Sequence, residues 1–232
     1  ALDRLESGFR QQREFTGDVA HELRTPLAVL RTRLVTFPDQ KSVAALHRDV
    51  EIMSRVVSQL LDSAEMETLV VDPDERADLH EVATDVAEFV APLALAQKKA
   101  INLSGTKNPV WVNGNAETLR RAIRNLAENA IRHAPPGTAV EILVGPDGTV
   151  SVLDRGEGID PEKREAIFER FVSGDNRRTG GAGLGLSIVK KIVETHGGSI
   201  SVKNRQNGGA EFKLHFTALS AVQASAMAGT AA

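Results

Sequence analysis

The sequence predicts an α+β fold in two parts, a helical hairpin over residues 1–68 and an α/β sandwich over residues 78–218. The hairpin follows from two heptad seams, at residues 2–23 and 43–64, separated by a proline-bearing loop. The sandwich follows from amphipathic helical segments that alternate with short β-branched runs and glycine turns. This pattern is typical of a mixed sheet covered on one face by helices. Residues 69–77 are predicted to be a linker, and residues 219–232 a disordered tail.

Composition narrows the classes of function. The 232 residues are 41% hydrophobic and 25% charged, as in ordinary globular proteins. A net charge of -3 and an aromatic content of 4% disfavour nucleic acid as a partner. The chain has no cysteine, which excludes disulfides and thiolate-bound zinc. No apolar run approaches the ~18 residues that a membrane span requires.

The two seams of the N-terminal hairpin indicate an assembly. Two amphipathic helices alone bury too little apolar surface to be stable. Two copies of the hairpin are therefore predicted to form a four-helix bundle with twofold symmetry, which makes the protein a homodimer. The alternative is an intramolecular hairpin that packs on the rest of the chain.

A candidate nucleophile lies on the first helix, within His-Glu-Leu-Arg-Thr-Pro at residues 21–26. At about 100° per residue the apolar seam falls opposite His21, so the imidazole faces water with Glu22 and Thr25 beside it. A neutral imidazole can attack a phosphoryl group, and a neighbouring carboxylate can orient it. Taken alone, His21 is also consistent with a solvated surface histidine.

A second polar cluster is predicted on the helix at residues 116–133. Asn125, Asn129 and Arg132 share one face, flanked by Glu128 and His133, while the opposite face is apolar. Magnesium accepts amide and phosphate oxygens as ligands, and an arginine can neutralise phosphate charge. The alternative is an ordinary polar helix face.

Two further motifs favour a nucleotide. Asp154 ends a strand on its apolar face, so its carboxylate is expected to be buried and to need a partner, for which the exocyclic amine of adenine is suitable. Gly156 and Gly158 let the backbone approach the base. Glycines at residues 180–185 precede a helix whose backbone donors suit phosphate, although this is not a Walker A loop. The alternatives are a capping aspartate at a turn and a disordered surface loop.

These motifs, in this order, resemble the sensor histidine kinases of two-component signalling. The hairpin is similar to their dimerisation and phosphoacceptor domain, with residues 15–27 as the H box. The rest is similar to the ATP-binding domain that they share with gyrase, Hsp90 and MutL. The N, G1, F and G2 boxes match residues 125–133, 154–158, 168–171 and 181–186.

The resemblance implies a role for each site residue. His21 accepts the γ-phosphoryl group of ATP, Glu22 assists, and Thr25 positions a hydrolytic water in a phosphatase reaction on the regulator. Asn129 binds Mg²⁺, and Asp154 reads adenine. His133 stands where many relatives carry an aromatic ring against adenine. The other residues expected at the nucleotide are Asn125, Arg132, Gly156, Gly158, Phe171, Arg177, Arg178, Gly181, Gly183, Leu184 and Gly185.

The resemblance also implies partners. The phosphoryl group is expected to pass to an aspartate on the receiver domain of a separate response regulator. The heptad at residues 2–9 looks like the exit from an upstream signalling module, so the chain is expected to be the cytoplasmic portion of a membrane-anchored bacterial sensor. Two competing hypotheses are a stand-alone ATPase of the gyrase and Hsp90 kind and a degenerate module that only docks a regulator. Whether His21 is phosphorylated within or across protomers stays open.

Overall fold

The computed structural model describes residues 72, 74–169, 172 and 184–219. The predicted hairpin at residues 1–68, the start of the linker and residues 220–232 of the tail lie outside this part of the chain. So do eight predicted site residues, which are His21, Glu22, Thr25, Phe171, Arg177, Arg178, Gly181 and Gly183. Of the helices in the described part, none has the length and apolarity needed to cross a membrane.

The described part of the chain contains three α-helices, α1 (Leu79–Ala96), α2 (Ala116–His133) and α3 (Gly185–Thr195). Asp78 caps α1, because its Oδ1 accepts a hydrogen bond from the backbone N–H of His80 at 3.0 Å. The same oxygen accepts from Val110 N at 2.8 Å, which ties the helix start to the neighbouring strand. Asn115 caps α2 in the same way through Thr118 N at 3.0 Å.

The strands form two sheets. The larger contains β2 (Ala100–Gly105), β4 (Ala139–Val144), β5 (Thr149–Leu153), β6 (Ser199–Asn204) and β7 (Ala210–His215) in the order β2-β4-β5-β7-β6. Strands β2 and β4 are parallel and the other pairs are antiparallel, so the predicted mixed sheet is confirmed.

A smaller sheet pairs β1 (Arg76–Asp78) with β3 (Trp111–Asn113) in antiparallel fashion. Strand β1 contains Arg76 and Ala77, which the sequence places in the linker. Ala77 is buried in the core. Ordered structure therefore begins before residue 78, because this short strand finds a partner that is distant in sequence.

The helices cover one face of the larger sheet. Helix α1 packs on β2, α2 on β5 and α3 on β6. The apolar residues of β4, β5 and β7 that point to this layer are fully buried. On the opposite face Lys213 and His215 are exposed. This alternation confirms the predicted sandwich. The ends of α2, β5 and α3 lie close together in it.

A half-buried histidine joins α3 to the start of α2. The Nδ1 of His196 lies 2.7 Å from Ile192 O, so this nitrogen donates and Nε2 is left as an acceptor. Asn115 N donates to Nε2 at 3.3 Å. Burial lowers the pKa of His196. The neutral ring is therefore the form that this junction requires.

Candidate nucleotide site

The centre of the candidate site is the carboxylate of Asp154 at the end of β5. The residue is 3% exposed, which confirms the buried position predicted from the sequence. Its Oδ1 accepts hydrogen bonds from Gly156 N at 2.7 Å and from Ala210 N at 3.3 Å. Its backbone N–H donates to Ala210 O at 3.0 Å. Asp154 is therefore held through both its main chain and its side chain.

The hydrogen bonds to Asp154 leave one oxygen for a ligand. Both use Oδ1, and Oδ2 takes part in neither. A buried carboxylate is stable only when donors satisfy it. A donor from a bound molecule, such as the amine of a nucleobase, can meet Oδ2 without competing with the protein.

The loop after Asp154 comes close to the end of α2. A Cβ atom added to Gly156 would lie 2.7 Å from the carbonyl oxygen of His133 and 3.0 Å from Asp154 Oδ1. Only glycine fits there, because those distances are shorter than van der Waals contact. Gly158 has a positive φ of 81°, which glycine adopts without strain. The two predicted glycines therefore shape the loop around the carboxylate.

The polar face of α2 contains an orphaned donor. The Nδ2 of Asn125 is buried and has no hydrogen-bond partner within residues 74–169 and 184–219. A Cβ atom added to Gly185 would lie 3.6 Å from Asn125 Oδ1, so this amide faces the start of α3. Such a buried donor is available to a bound molecule. Asn129 lies one turn later on the same predicted face of α2.

The start of α3 offers backbone donors beside this amide. Leu184 occupies the N-cap position and makes no side-chain cap hydrogen bond. Its side chain is 1% exposed and belongs to the core, so the expectation that Leu184 contacts nucleotide is restricted to its backbone. The N–H groups of an uncapped first turn are suited to an anion.

The end of α2 carries positive charge. The Nζ of Lys99 donates to Ile131 O and to Gln97 Oε1, the latter at 3.1 Å. Lys99 is 8% exposed, and burial lowers its pKa. Its cation lies where the negative end of the helix dipole favours it. Lys99 thereby fixes the turn from which Arg132 and His133 extend.

His133 is kept neutral by this environment. Partial removal from water lowers the pKa of His133, and the charge of Arg132 lowers it further, whereas Asp154 and Glu157 act in the opposite direction. A neutral imidazole can pack against a base without removing a charge from water. Its main-chain oxygen lies beside Gly156, and the contact of its ring with adenine stays a prediction.

The structure brings the described site residues into two groups. Gly156 donates to the carboxylate of Asp154 and passes close to the main-chain oxygen of His133, and the amide oxygen of Asn125 faces Gly185. Asn129 and Arg132 lie on α2 between these groups, by their helical position. No cluster of three or more His, Asp or Glu side chains capable of holding a metal occurs among the described residues. The donors present instead fit a cation that is held mainly by phosphates, with one amide oxygen from the protein.

Sequence reasoning missed the residues that support Asp154 from β6 and β7. Arg205 Nη1 donates to Asp154 O at 2.9 Å. The side chain of Asn204 bonds both Ile159 N and Ile159 O, each at 2.8 Å. The sequence identifies the turn at residues 207–209 but carries no signal that the turn faces Asp154.

Comparisons with known proteins agree with this geometry. A family described as histidine kinase-, DNA gyrase B- and HSP90-like ATPase matches residues 114–219. This family defines an ATP-binding domain, the class of protein to which the fold and site belong. A second family, described as the His Kinase A (phospho-acceptor) domain, matches residues 11–69, which include His21.

Curated proteins and a solved structure are similar to this chain. Sensor protein kinase PmrB of Pseudomonas aeruginosa is 36% identical in an alignment of 226 positions that covers 92% of this chain and 47% of the relative. Sensor protein BasS of Salmonella typhimurium is 36% identical in an alignment of 210 positions that covers 88% of this chain and 59% of the relative. The solved mycobacterial sensor histidine kinase MprB is 30% identical, with a TM-score of 0.55 over 62% of this chain and 97% of that structure.

The chain belongs to the sensor histidine kinases of two-component signalling. It spans about half the length of the first curated relatives it matches.

Proposed function

We propose that this chain is the catalytic core of a sensor histidine kinase. It binds ATP with Mg²⁺, transfers the γ-phosphoryl group to His21, and passes that group to an aspartate on the receiver domain of a response regulator. One observation supports the proposal above the others. Within the described residues, the buried carboxylate of Asp154 accepts its two hydrogen bonds through Oδ1 and not through Oδ2, and the Nδ2 of Asn125 on the neighbouring helix has no partner.

Different described residues contact the base and the phosphates of the nucleotide. Asp154 accepts a hydrogen bond from the exocyclic amine of adenine, while Gly156 and Gly158 let the loop approach the base. Asn125 and the first turn of α3 donate to phosphate oxygens. Arg132, with Arg177, Arg178, Gly181 and Gly183 from outside the described residues, completes the phosphate site.

Asn129 is the residue that would hold Mg²⁺ through its amide oxygen. When bound, the ion supplies charge neutralisation on the phosphates. The absence of a carboxylate cluster on the described residues is compatible with this assignment, because magnesium at nucleotides takes few protein ligands.

Transfer requires His21 to meet the γ-phosphorus in line. A neutral imidazole nitrogen forms the N–P bond as the bond between the γ-phosphorus and the leaving oxygen of ADP breaks. Glu22 holds the proton on the other ring nitrogen and so fixes the tautomer. Positioning dominates the rate of such a reaction, so the segment before β1 must let the two domains approach each other.

The partners follow from the same proposal. The hairpin at residues 1–68 pairs with a second copy to form a dimer, and its exposed helices receive the regulator. Thr25 positions a water for dephosphorylation of the regulator. An upstream sensor module, anchored in the membrane, supplies the signal, which places this chain on the cytoplasmic side.

Incubation of the purified chain with Mg²⁺ and γ-labelled ATP tests the proposal. We expect an acid-labile, base-stable label on the wild-type protein. His21→Ala should abolish this label while keeping ATP affinity, whereas Asn129→Ala should reduce the label through loss of the Mg²⁺–ATP complex. His215→Ala, an exposed histidine on β7, is the matched control and should retain full labelling.

Each competing hypothesis has its own result. Phosphate release without labelled protein would identify a stand-alone ATPase. An Asn129→Ala protein that supports normal signalling would identify a module that docks a regulator without catalysis.

A further inference from the structure

The turn between β6 and β7 holds the loop that carries Asp154. We call residues 204–210 the β6–β7 turn. Asn204 bonds the backbone of Ile159 twice, and Ala210 bonds Asp154 twice, through its O to Asp154 N and through its N to Asp154 Oδ1. The loop after β5 is therefore fastened on both sides of its glycines by a segment about fifty residues away in sequence.

Arg205 is the charged part of this turn. Its Nη1 donates to Asp154 O at 2.9 Å and its Nη2 donates to Glu141 Oε1 at 3.1 Å. The side chain is 16% exposed, so water competes weakly for these bonds. A guanidinium is planar and presents its donors in a fixed fork. Arg205 therefore sets the position of the Asp154 carbonyl relative to the middle of the sheet.

The same carbonyl is enclosed from a second direction. A Cβ atom added to Gly209 would lie 2.2 Å from Asp154 O, and Gly209 has a φ of 93°. The carbonyl of Asp154 thus lies between the guanidinium of Arg205 and the bare backbone of Gly209. The Asp154 peptide group cannot tilt without breaking its hydrogen bond to Arg205 or clashing with Gly209.

We propose that Arg205 is a positioning residue that selects the nucleobase by holding the backbone of Asp154. The inference rests on the proposed function, in which Asp154 reads the exocyclic amine of adenine. A hydrogen bond loses strength steeply when its angle or length departs from the optimum. Release of the Asp154 peptide should therefore weaken recognition of the amine more than it weakens binding of the phosphates.

Arg205→Met tests this inference with two nucleotides. The first is ATP, and the second is purine riboside triphosphate, which lacks the 6-amino group. We expect Arg205→Met to weaken ATP binding about tenfold, the scale of one hydrogen bond, and to leave the affinity for the amine-free nucleotide within about twofold. The KM for ATP should rise, while the autophosphorylation rate at saturating ATP stays near that of the wild type. Arg205→Lys should restore part of the selectivity.

Lys203→Met is the matched control. Lys203 lies on β6, two residues before Arg205, and pairs with Glu211 at 3.1 Å, but its side chain is 68% exposed and has no hydrogen bond to Asp154 in the described part of the chain. Its loss should change neither affinity. If Arg205→Met does not fold, Glu141→Gln provides the second variant, since it weakens the other end of the arginine. It should lower the preference for ATP by about threefold.

Three results would overturn the inference. An equal loss of both nucleotides in Arg205→Met would mean that the arginine only supports the fold. Unchanged affinity for both would mean that it does not position Asp154. If the wild type itself shows no preference for ATP over the amine-free nucleotide, the proposed reading of adenine fails and the inference falls with it.

Discussion

Replacement of Asp154 by asparagine separates the fold of the site from its ability to bind nucleotide. Asparagine keeps a carbonyl oxygen that can accept from Gly156 N and Ala210 N, at the present 2.7 Å and 3.3 Å. It places an NH₂ group where Oδ2 now lies. That group is a donor, and it would face the donor amine of adenine. The loop should survive while the reading of the base is lost.

The loss of folding stability and the loss of ATP affinity in Asp154→Asn can be estimated from the hydrogen bonds. A bond to a charged acceptor contributes about 1.5–3 kcal/mol and one to a neutral acceptor about 0.5–1.5 kcal/mol. Weakening the two hydrogen bonds that the Asp154 side chain accepts from backbone N–H groups should therefore destabilise the domain by about 1–3 kcal/mol. Loss of the charged bond to adenine should raise the Kd for ATP roughly 10- to 150-fold.

Alanine at the same position should behave differently. Asp154→Ala leaves two buried N–H groups without an acceptor, at about 1–3 kcal/mol each. The sum, about 2–6 kcal/mol, is a large part of the 5–15 kcal/mol that stabilises a typical domain. The alanine variant should therefore lose stability and binding together, whereas the asparagine variant loses mainly binding.

Isothermal titration calorimetry with ATP and urea unfolding followed by circular dichroism measure the two quantities. Titration with Mg²⁺ present and absent keeps the metal contribution apart from that of the base. If Asp154→Asn binds ATP as tightly as the wild type, the carboxylate does not read adenine and the reasoning is refuted.

Three further predictions concern the same chain. Gly209→Ala should destabilise the domain by about 3 kcal/mol or more and weaken ATP binding, because its Cβ would lie 2.2 Å from the carbonyl oxygen of Asp154. Gly137→Ala, at a φ of 80° with open space around it, should cost about 1 kcal/mol in urea unfolding. Unfolding free energy should fall as the pH drops below about 6.5, because the unfolded chain binds a proton that half-buried His196, with its lowered pKa, resists in the folded state. His196→Gln should flatten that dependence in urea titrations at several pH values. Thr25→Ala should slow dephosphorylation of a phosphorylated regulator more than it slows labelling by γ-labelled ATP.

Each of these predictions has a contrary result. Equal destabilisation by Gly209→Ala and Gly137→Ala would show that the close approach of Gly209 to Asp154 O does not affect the free energy of unfolding. A pH dependence that persists unchanged in His196→Gln would assign it to other groups. Equal loss of both activities in Thr25→Ala would refute a specific role in dephosphorylation.

Local patterns were enough to predict most of the sheet and helices. The polar turn at residues 145–148 joins β4 and β5 as an antiparallel pair, and Asp154 is buried because it continues the inner face of β5. Asp78 caps α1. Such features depend on residues that are close in sequence, where periodicity and turn chemistry carry the information.

Contacts between distant segments could not be predicted. Strand β1 has three residues, too few for a periodic signal, and it forms because β3 pairs with it. The hydrogen bond from Arg205 to Asp154 joins residues that are 51 positions apart in the sequence. The resemblance that placed Leu184 near the nucleotide does not reveal that its side chain fills the core. In each case tertiary packing decides the role of a residue whose local signal is weak or ambiguous.

Mass spectrometry under alkaline conditions tests whether His21 accepts the phosphoryl group. Wild-type protein is incubated with Mg²⁺ and ATP, digested and mapped for phosphorylated residues. We expect one phosphoryl group on the imidazole of His21, absent without Mg²⁺ and strongly reduced in Asp154→Asn at an ATP concentration near the wild-type Kd. Protein that binds ATP with the predicted affinity, yet carries no phosphohistidine at His21, would contradict the account.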